Sequence, residues 1–447
     1  MFRLPRDTEM TTKLLAEYMN KHQQEVNSRY KKLADTYMSD HAILHAPRKP
    51  QWKPDNRVVV NFAKYIVDTM NGFFLGNPIK ITTDNEAVAE YVEYLDRYND
   101  QDNNNAELAK TCDIFGNGYE MYFTDENSEL CITTLSPLES FMIYDESIIE
   151  RPIFFIRRYI DSNNVEHGSI SSETHIRYFI ADGDYKWTSE WEPHYFNGVP
   201  ATEFVENEER QGIFEPVMSM IDAYDKAVSE KANDVDYFAD AYLKILGPEL
   251  TDEDLAFMRD KRVINYPGFD SDKAIVDFLN KPSGDTTQEN LINRLERLIF
   301  QISMVANISN ENFGTSSGIA MRYKLQAMSN LAKAKQRKFE SGMNRRYKLL
   351  FSHPAAGTRV KADDWTELNY QFTPNIPSNV LEEAQTAAQL SGIVSQETQL
   401  KILSVVDNVK NELDRIDDEN TRTMAEAEKQ MFALSEVSQD DKQGVLE

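Results

Sequence analysis

The sequence predicts an α+β protein, mainly helical, and three observations carry that expectation. Long segments repeat apolar residues at helical spacing on both sides of a central stretch. That stretch, about 118–205, carries short β-rich runs separated by turn dipeptides. Hydrophobic residues make up 41% of the 447 residues, enough for a packed core, so a globally disordered chain is excluded.

Taken in order, residues 8–45 read as helix, with Tyr30, Leu33 and Tyr37 at helical spacing and Pro47 and Pro50 ending the segment. A second helix spans 58–75, with Val60, Ala63, Ile66, Val67 and Met70 on one face and Gly76-Asn77-Pro78 as its stop. Residues 86–113 look helical but interrupted by the polar run 100–105. Strands follow at 119–123, 130–134, 152–159, 175–180 and 185–190, and Asp182-Gly183 and Asn197-Gly198 read as hairpin turns. These form one antiparallel unit that ends at the acidic run 206–209.

Pro216 opens a long helix, 216–245, of roughly 40–45 Å at 1.5 Å per residue. Its apolar stripe is Val217, Ile221, Tyr224, Val228, Val235, Phe238 and Tyr242. A compact excursion over 248–286 comes next, with a short helix at 252–259 and a strand at 262–266. A helix at 287–303, a Gly/Ser-rich polar loop over 307–318 and a helix at 319–350 follow. Residues 367–372 suggest a strand. From 374 the chain is helical: Asn379 and Glu382 resemble a capping box, Gly392 a helix-ending glycine, and Leu400 to Ile416 a further apolar stripe.

The chemistry-bearing patterns are sparse. Of the seven histidines only His41 and His45 share an i,i+4 spacing, with no HExxH glutamate between them; that spacing reads as a solvated helix end rather than a metal site. There is no Walker A motif, GxGxxG after a strand or GxSxG elbow, and with 74 carboxylates any acid–base pair would be arbitrary. The expectation is a chain without catalysis, cofactor or metal, against which a carboxylate-metal nuclease stands as an alternative. The loop 307–318 could cradle a phosphate, but its composition reads first as an interhelical loop free to move. No run of 18 apolar residues predicts a membrane span, and Met1 to Lys13 lacks a signal-peptide core. Two cysteines without a CxxC pair point to a reducing compartment.

Charge is unevenly distributed. The net charge of −26 argues against tight nucleic-acid binding by the chain as a whole. Yet residues 322–348 hold nine cations (Arg322, Lys324, Lys333, Lys335, Arg337, Lys338, Arg345, Arg346 and Lys348) against the single acid Glu340. Some of them face a polyanion, or they complement acidic faces of a neighbouring subunit or simply sit in water.

Four segments, in order, resemble the portal proteins of long-tailed bacteriophages of Gram-positive hosts. They are Asn56 to Asn61 running through Tyr65-Ile66-Val67-Asp68 to Gly72 to Ile79; Gly116-Asn117-Gly118-Tyr119 with Ser136-Pro137 and Tyr144-Asp145; Ile221 to Asp225 with Ser229, Asn233-Asp234 and Phe238 to Leu243; and Ser317 to Leu325. The chain departs at Tyr37 to Asp40, where the family carries a second aromatic and a glycine.

The resemblance implies a portal fold of wing, stem, clip and crown in a ring-shaped, usually dodecameric, homo-oligomer at one capsid vertex. On this chain it places the wing at 1–215, stem helices at 216–246 and 287–303, and the clip at 247–286. The tunnel loop falls at 304–318, a long helix and wing strand at 319–373, and the crown and tail at 374–447. The tunnel loop would present Asn307, Ser309, Asn310, Asn312, Phe313, Gly314, Thr315 and Ser316 to the channel. Arg322, Lys324 and Lys333 would touch passing double-stranded DNA. Ile221, Tyr224, Val228, Val235, Phe238, Arg345 and Arg346 would meet the next subunit. Implied partners are terminase, the head–tail adaptor, and the major capsid and scaffolding proteins, with no membrane, in a virion component assembled in the host cytoplasm. Another ring-forming adaptor or a scaffold is the remaining alternative.

Overall fold

The computed structural model describes residues 1–51, 53–239, 243–246, 275–278, 285–308, 323–375, 380–403, 405–406, 409 and 412–424. It divides into two compact units, Met1–Asn375 and Ile376–Glu447.

In the first unit, α1 (Thr12–Glu25) starts where Thr11 caps the amide of Leu14 at 3.2 Å. It passes through a π-helical turn, Val26–Tyr30, into α2 (Lys31–Tyr37). The expected helix over 8–45 is therefore shorter at both ends. It stops at Met38–Ser39, where Ser39 takes a positive φ of 68°, and only a 3-10 turn, Ala42–His45, follows. Residues Phe2–Arg3 form a short strand, β1, that no periodicity announced.

Helix α3 (Phe62–Leu75) is capped by Asn61, whose Oδ1 accepts from the Lys64 amide at 2.8 Å. Its Ile66, Val67, Met70, Phe73 and Phe74 are all buried. Residues 58–61, expected as its first turn, are instead non-helical. Strand β2 (Lys80–Thr82) leads to α4 (Glu86–Tyr98) and α5 (Gln101–Phe115). Only Asp100, with φ 49°, interrupts the helix there. The rest of the polar run lies inside α5, with Gln101 and Asn105 buried.

The β region forms two sheets rather than one. The small sheet has the order β11-β3-β4, from β3 (Asn117–Thr124), β4 (Leu130–Leu135) and β11 (Ala201–Val205). The larger sheet runs β1-β5-β6-β7-β8-β10, with β9 hydrogen-bonded to β8. Its other strands are β5 (Ser140–Tyr144), β6 (Pro152–Ile160), β7 (Glu166–Ser171), β8 (His175–Asp182), β9 (Asp184–Trp187) and β10 (Glu192–Pro193). Only the β1–β5 pairing is parallel. Asp182-Gly183 closes the β8–β9 hairpin as expected. Asn197-Gly198 does not make a hairpin: it carries the chain from β10 in one sheet to β11 in the other. The larger sheet buries Ile143, Ile156, Ile170 and Phe179 against Leu15, Tyr18 and Met19 of α1.

Helix α6 (Met218–Ala239) is shorter than the expected 216–245, because Leu243–Leu246 is strand β12, paired antiparallel with β13 (Ile275–Phe278). The expected helix at 252–259 and strand at 262–266 lie outside the described residues. Helix α7 (Asp285–Ser303) is followed by α8 (Gln326–Ser352). Strand β14 (Asn369–Gln371) pairs antiparallel with β2. Helix α8 lies directly on the small sheet at Gly342: a Cβ there would sit 2.4 Å from the Phe204 ring, so no other residue permits that approach.

The second unit contains α9 (Val380–Gln389), α10 (Gln396–Leu400) and a helical segment over 412–424. Gly392 has the positive φ, 78°, of a helix-ending glycine, and Ser395 caps α10 through the Thr398 amide. The capping-box residue Asn379 lies outside the described residues, and the stripe from Leu400 to Ile416 is not one continuous helix. Among the described residues no helix is long and apolar enough to cross a membrane.

Candidate functional site: the helix pair and the basic helix

Helices α6 and α7 pack antiparallel. Near the end of α6, Lys231 pairs with Glu289 and Asp234 accepts from Gln288 at 2.9 Å; near its start, Tyr224 and Phe300 of α7 both pack on Phe62. The apolar stripe of α6 therefore splits. Ile221 is fully buried within its own chain, which corrects its expected place at a subunit contact. Tyr224 and Val228 are half-buried, Tyr224 edge-on to Phe62 at 4.8 Å. Val235 is 64% exposed and open to a neighbour. Phe238 lies in the last turn of α6.

A polar face of α6 does work that its sequence did not announce. Asp225, Ser229 and Asn233 accept, in turn, from the backbone amides of Val60 (2.8 Å), Val58 (2.9 Å) and Asn56 (2.6 Å). Four residues of helix rise about 6 Å and two residues of extended chain span about 6.7 Å, so the two repeats run in step. Residues 56–60 thus form an extended strap along α6, antiparallel to it. The segments Asn56 to Asn61 and Ile221 to Asn233, far apart in sequence, are two halves of one joint.

The loop after α7 is held at its start. Val305 is buried, Asn307 Nδ2 donates to Glu296 at 3.2 Å, and the Ile308 amide donates to the Tyr65 hydroxyl at 2.8 Å. The remaining expected loop residues, Ser309, Asn310, Asn312, Phe313, Gly314, Thr315 and Ser316, lie outside the described residues, as does Arg322.

On α8 the cations divide. Lys333, Arg337 and Lys348 are exposed, as is Lys324 just before the helix. Lys335 is buried, with its Nζ 2.5 Å from Asp113, 3.0 Å from Glu206 and 3.2 Å from the Ala109 carbonyl. Burial opposes its charge, but Asp113 and Glu206 outweigh that and hold the ammonium above its ordinary value. Two carboxylates against one ammonium leave a negative charge in excess, and burial pushes Asp113 well above the usual carboxylate range.

Arg346 is fully buried and grips Glu120 through two hydrogen bonds of 2.7 and 2.8 Å, with Asn105 at 2.7 Å. Arg345 donates to the carbonyls of Val199 and Ala201. Both arginines are therefore committed to their own chain. This corrects their expected role toward a neighbouring subunit: Arg346 is enclosed and paired with Glu120, and the half-buried Arg345 directs its donors to two carbonyls of its own chain. Spacing held the clue: Met328, Ala332, Lys335, Phe339, Met343, Arg346 and Leu350 form one buried face of α8, so two cations occupy core positions. Their partners Asp113, Glu120 and Glu206 carried no such mark in the sequence. His41, expected at a solvated helix end, is likewise buried, against Asp225.

Comparison with known proteins accords with this architecture. Over 400 residues the chain is 24% identical to the portal protein of Clostridium phage phiCD119, covering 82% of this chain and 86% of that one. Over 392 residues it is 24% identical to the portal protein of Bacillus phage SPP1, covering 82% and 76%. Residues 16–426 match the family described as phage portal protein, SPP1 Gp6-like, and the chain belongs to that family.

Proposed function

We propose that this chain is one subunit of a ring at a capsid vertex, through which double-stranded DNA is packaged and ejected. The family match across residues 16–426 carries this reading. The antiparallel pair α6–α7 suits the stem, with β12 and β13 at the base of a clip spanning 247–286. The clip is the docking face for terminase, which hydrolyses ATP, and for the head–tail adaptor. Residues 304–318 form the tunnel loop, the mixed region before α6 the wing, and residues 374–447 the crown inside the capsid. Capsid and scaffolding proteins meet the wing and crown.

The exposed Lys324 and Lys333 follow the loop and face the channel with Arg322, and Tyr224, Val228, Val235 and Phe238 face the next stem. The abundance of acids elsewhere keeps phosphate attraction weak, which suits DNA that must slide. Electron microscopy of the purified protein tests the proposal: rings with a central hole and a narrow stem are expected, and a monomer under all assembly conditions would overturn it.

A further inference from the structure

The joint between α6 and the strap contains a buried charge that the ring reading does not use. His41 is 2% exposed and Asp225 is fully enclosed. His41 Nδ1 lies 2.5 Å from Asp225 Oδ2, and its Nε2 lies 3.0 Å from the Thr36 carbonyl oxygen. A carbonyl oxygen only accepts, so Nε2 must carry a proton. A carboxylate also only accepts, so a second proton must lie between Nδ1 and Oδ2. The other Asp225 oxygen accepts the Val60 amide, the last rung of the strap.

We propose that His41 is a buried imidazolium that latches α6 to the strap through Asp225, and that the latch opens as pH rises and this proton is lost. Without it, Nδ1 and Oδ2 face each other as two acceptors in a site closed to water, and Asp225 loses the partner that orients it toward Val60.

The surroundings favour the charged ring. From α6, Asp222 adds negative potential beside Asp225. On the ring's own segment Asp40 pairs with His45, and Arg57 of the strap pairs with Asp55 just before it. Helix α2 offers only the Thr36 carbonyl, and on α3 Lys64 pairs with Asp68 at the surface. Burial is the largest influence and disfavours the charge; Asp225, Thr36 and Asp222 together outweigh it and hold the imidazole above its ordinary value. The latch is internal to one chain, so it stands or falls separately from ring assembly.

Histidine-selective 15N labelling of the assembled wild-type protein reads the ring directly. At pH 8 one of the seven imidazoles should show both nitrogens protonated, and that signal should vanish in His41→Gln. Seven neutral rings in the folded wild type would overturn the proposal. Hydrogen exchange supplies the second arm. Protection of the 56–60 amides, relative to those of α1, should fall about tenfold for each pH unit above the imidazolium's pKa. In His41→Gln it should be low and independent of pH. Protection that stays flat in the wild type through pH 10 would show that the charge latches nothing.

Discussion

Arg346 and Glu120 stand 226 residues apart in the chain and meet in a two-bond ion pair from which solvent is wholly excluded. Asn105 accepts a further bond from the guanidinium at 2.7 Å, and Gln101 donates to the same glutamate at 3.2 Å; the guanidinium's Nη1 is buried without a hydrogen-bond partner. The polar run at the start of α5, which reads as a helix interruption, is thus the lining of this pair. The pair fixes α8 and α5 against β3 at one point.

Removing one partner should cost far more than removing both. Arg346→Met leaves Glu120 buried without a counter-ion, and a loss of about 3–5 kcal/mol is expected. Glu120→Met should cost a similar amount. The double variant should recover much of either loss, because two well-packed apolar side chains leave no stranded charge. Thermal unfolding of the three variants checks this; equal losses in all three would mean that packing, not charge, dominates the site.

Asp96 gives a pH signature of its own. Burial pushes its carboxyl up to about 6; Arg346 and the hydroxyl of Tyr347, 3.2 Å away, pull it down only in part. A folded-state value above the unfolded one means that the group favours the folded state fully only below about pH 3.8. That advantage is lost as pH rises from there through about 6. Asp96→Asn keeps the acceptor for Tyr347 and removes the titration. It should match the wild type near pH 4 and exceed it above pH 6, by on the order of 2 kcal/mol. Denaturation midpoints measured across that range should diverge upward; parallel curves would place the titration elsewhere.

Periodicity made most helices legible, and six of the fourteen described strands (β3, β4, β6, β8, β9 and β14), because each buries one face, and burial leaves a repeat of 3.6 or 2 in the sequence. It could not show that 118–205 splits into two sheets, since alternation marks a strand's faces and not its neighbours. It also misjudged α8. Counting charge treats every lysine and arginine as solvated, and Lys335 and Arg346 are not. Their position on the apolar face was readable, but Asp113, Glu120 and Glu206, the acids they meet, were not, because pairings over such separations leave no local pattern. The strap failed for the same reason: Val58 to Val60 read as the first turn of a helix, and only Asp225, Ser229 and Asn233 across the fold hold the segment extended.

With Lys335 and Arg346 turned inward, the exposed cations of α8 can be altered without touching the core. Lys333→Glu should leave the unfolding temperature almost unchanged, within about 0.5 kcal/mol, as for other exposed positions. If it faces the channel, the reversal should lower the amount of DNA packaged per capsid, and the deficit should shrink as salt screens the charge. Packaging assays at two ionic strengths separate this from a contact between subunits, which would instead change the yield of rings.

The loop is the sharper test of the channel reading, because its start is anchored and its middle is dispensable to that anchor. Val305 is buried and the Ile308 amide is held by Tyr65, so the chain leaves α7 in a set direction before residue 309. Deleting Asn310 to Thr315 removes nothing that these contacts need. Rings should still assemble in normal yield, while packaging into capsids falls severalfold or stops. Tyr65→Phe, which removes only the hydroxyl at the anchor, should lower packaging less and leave assembly intact. Were the deletion to abolish rings, the segment would be part of the subunit contact, and the cations that follow it would belong there too.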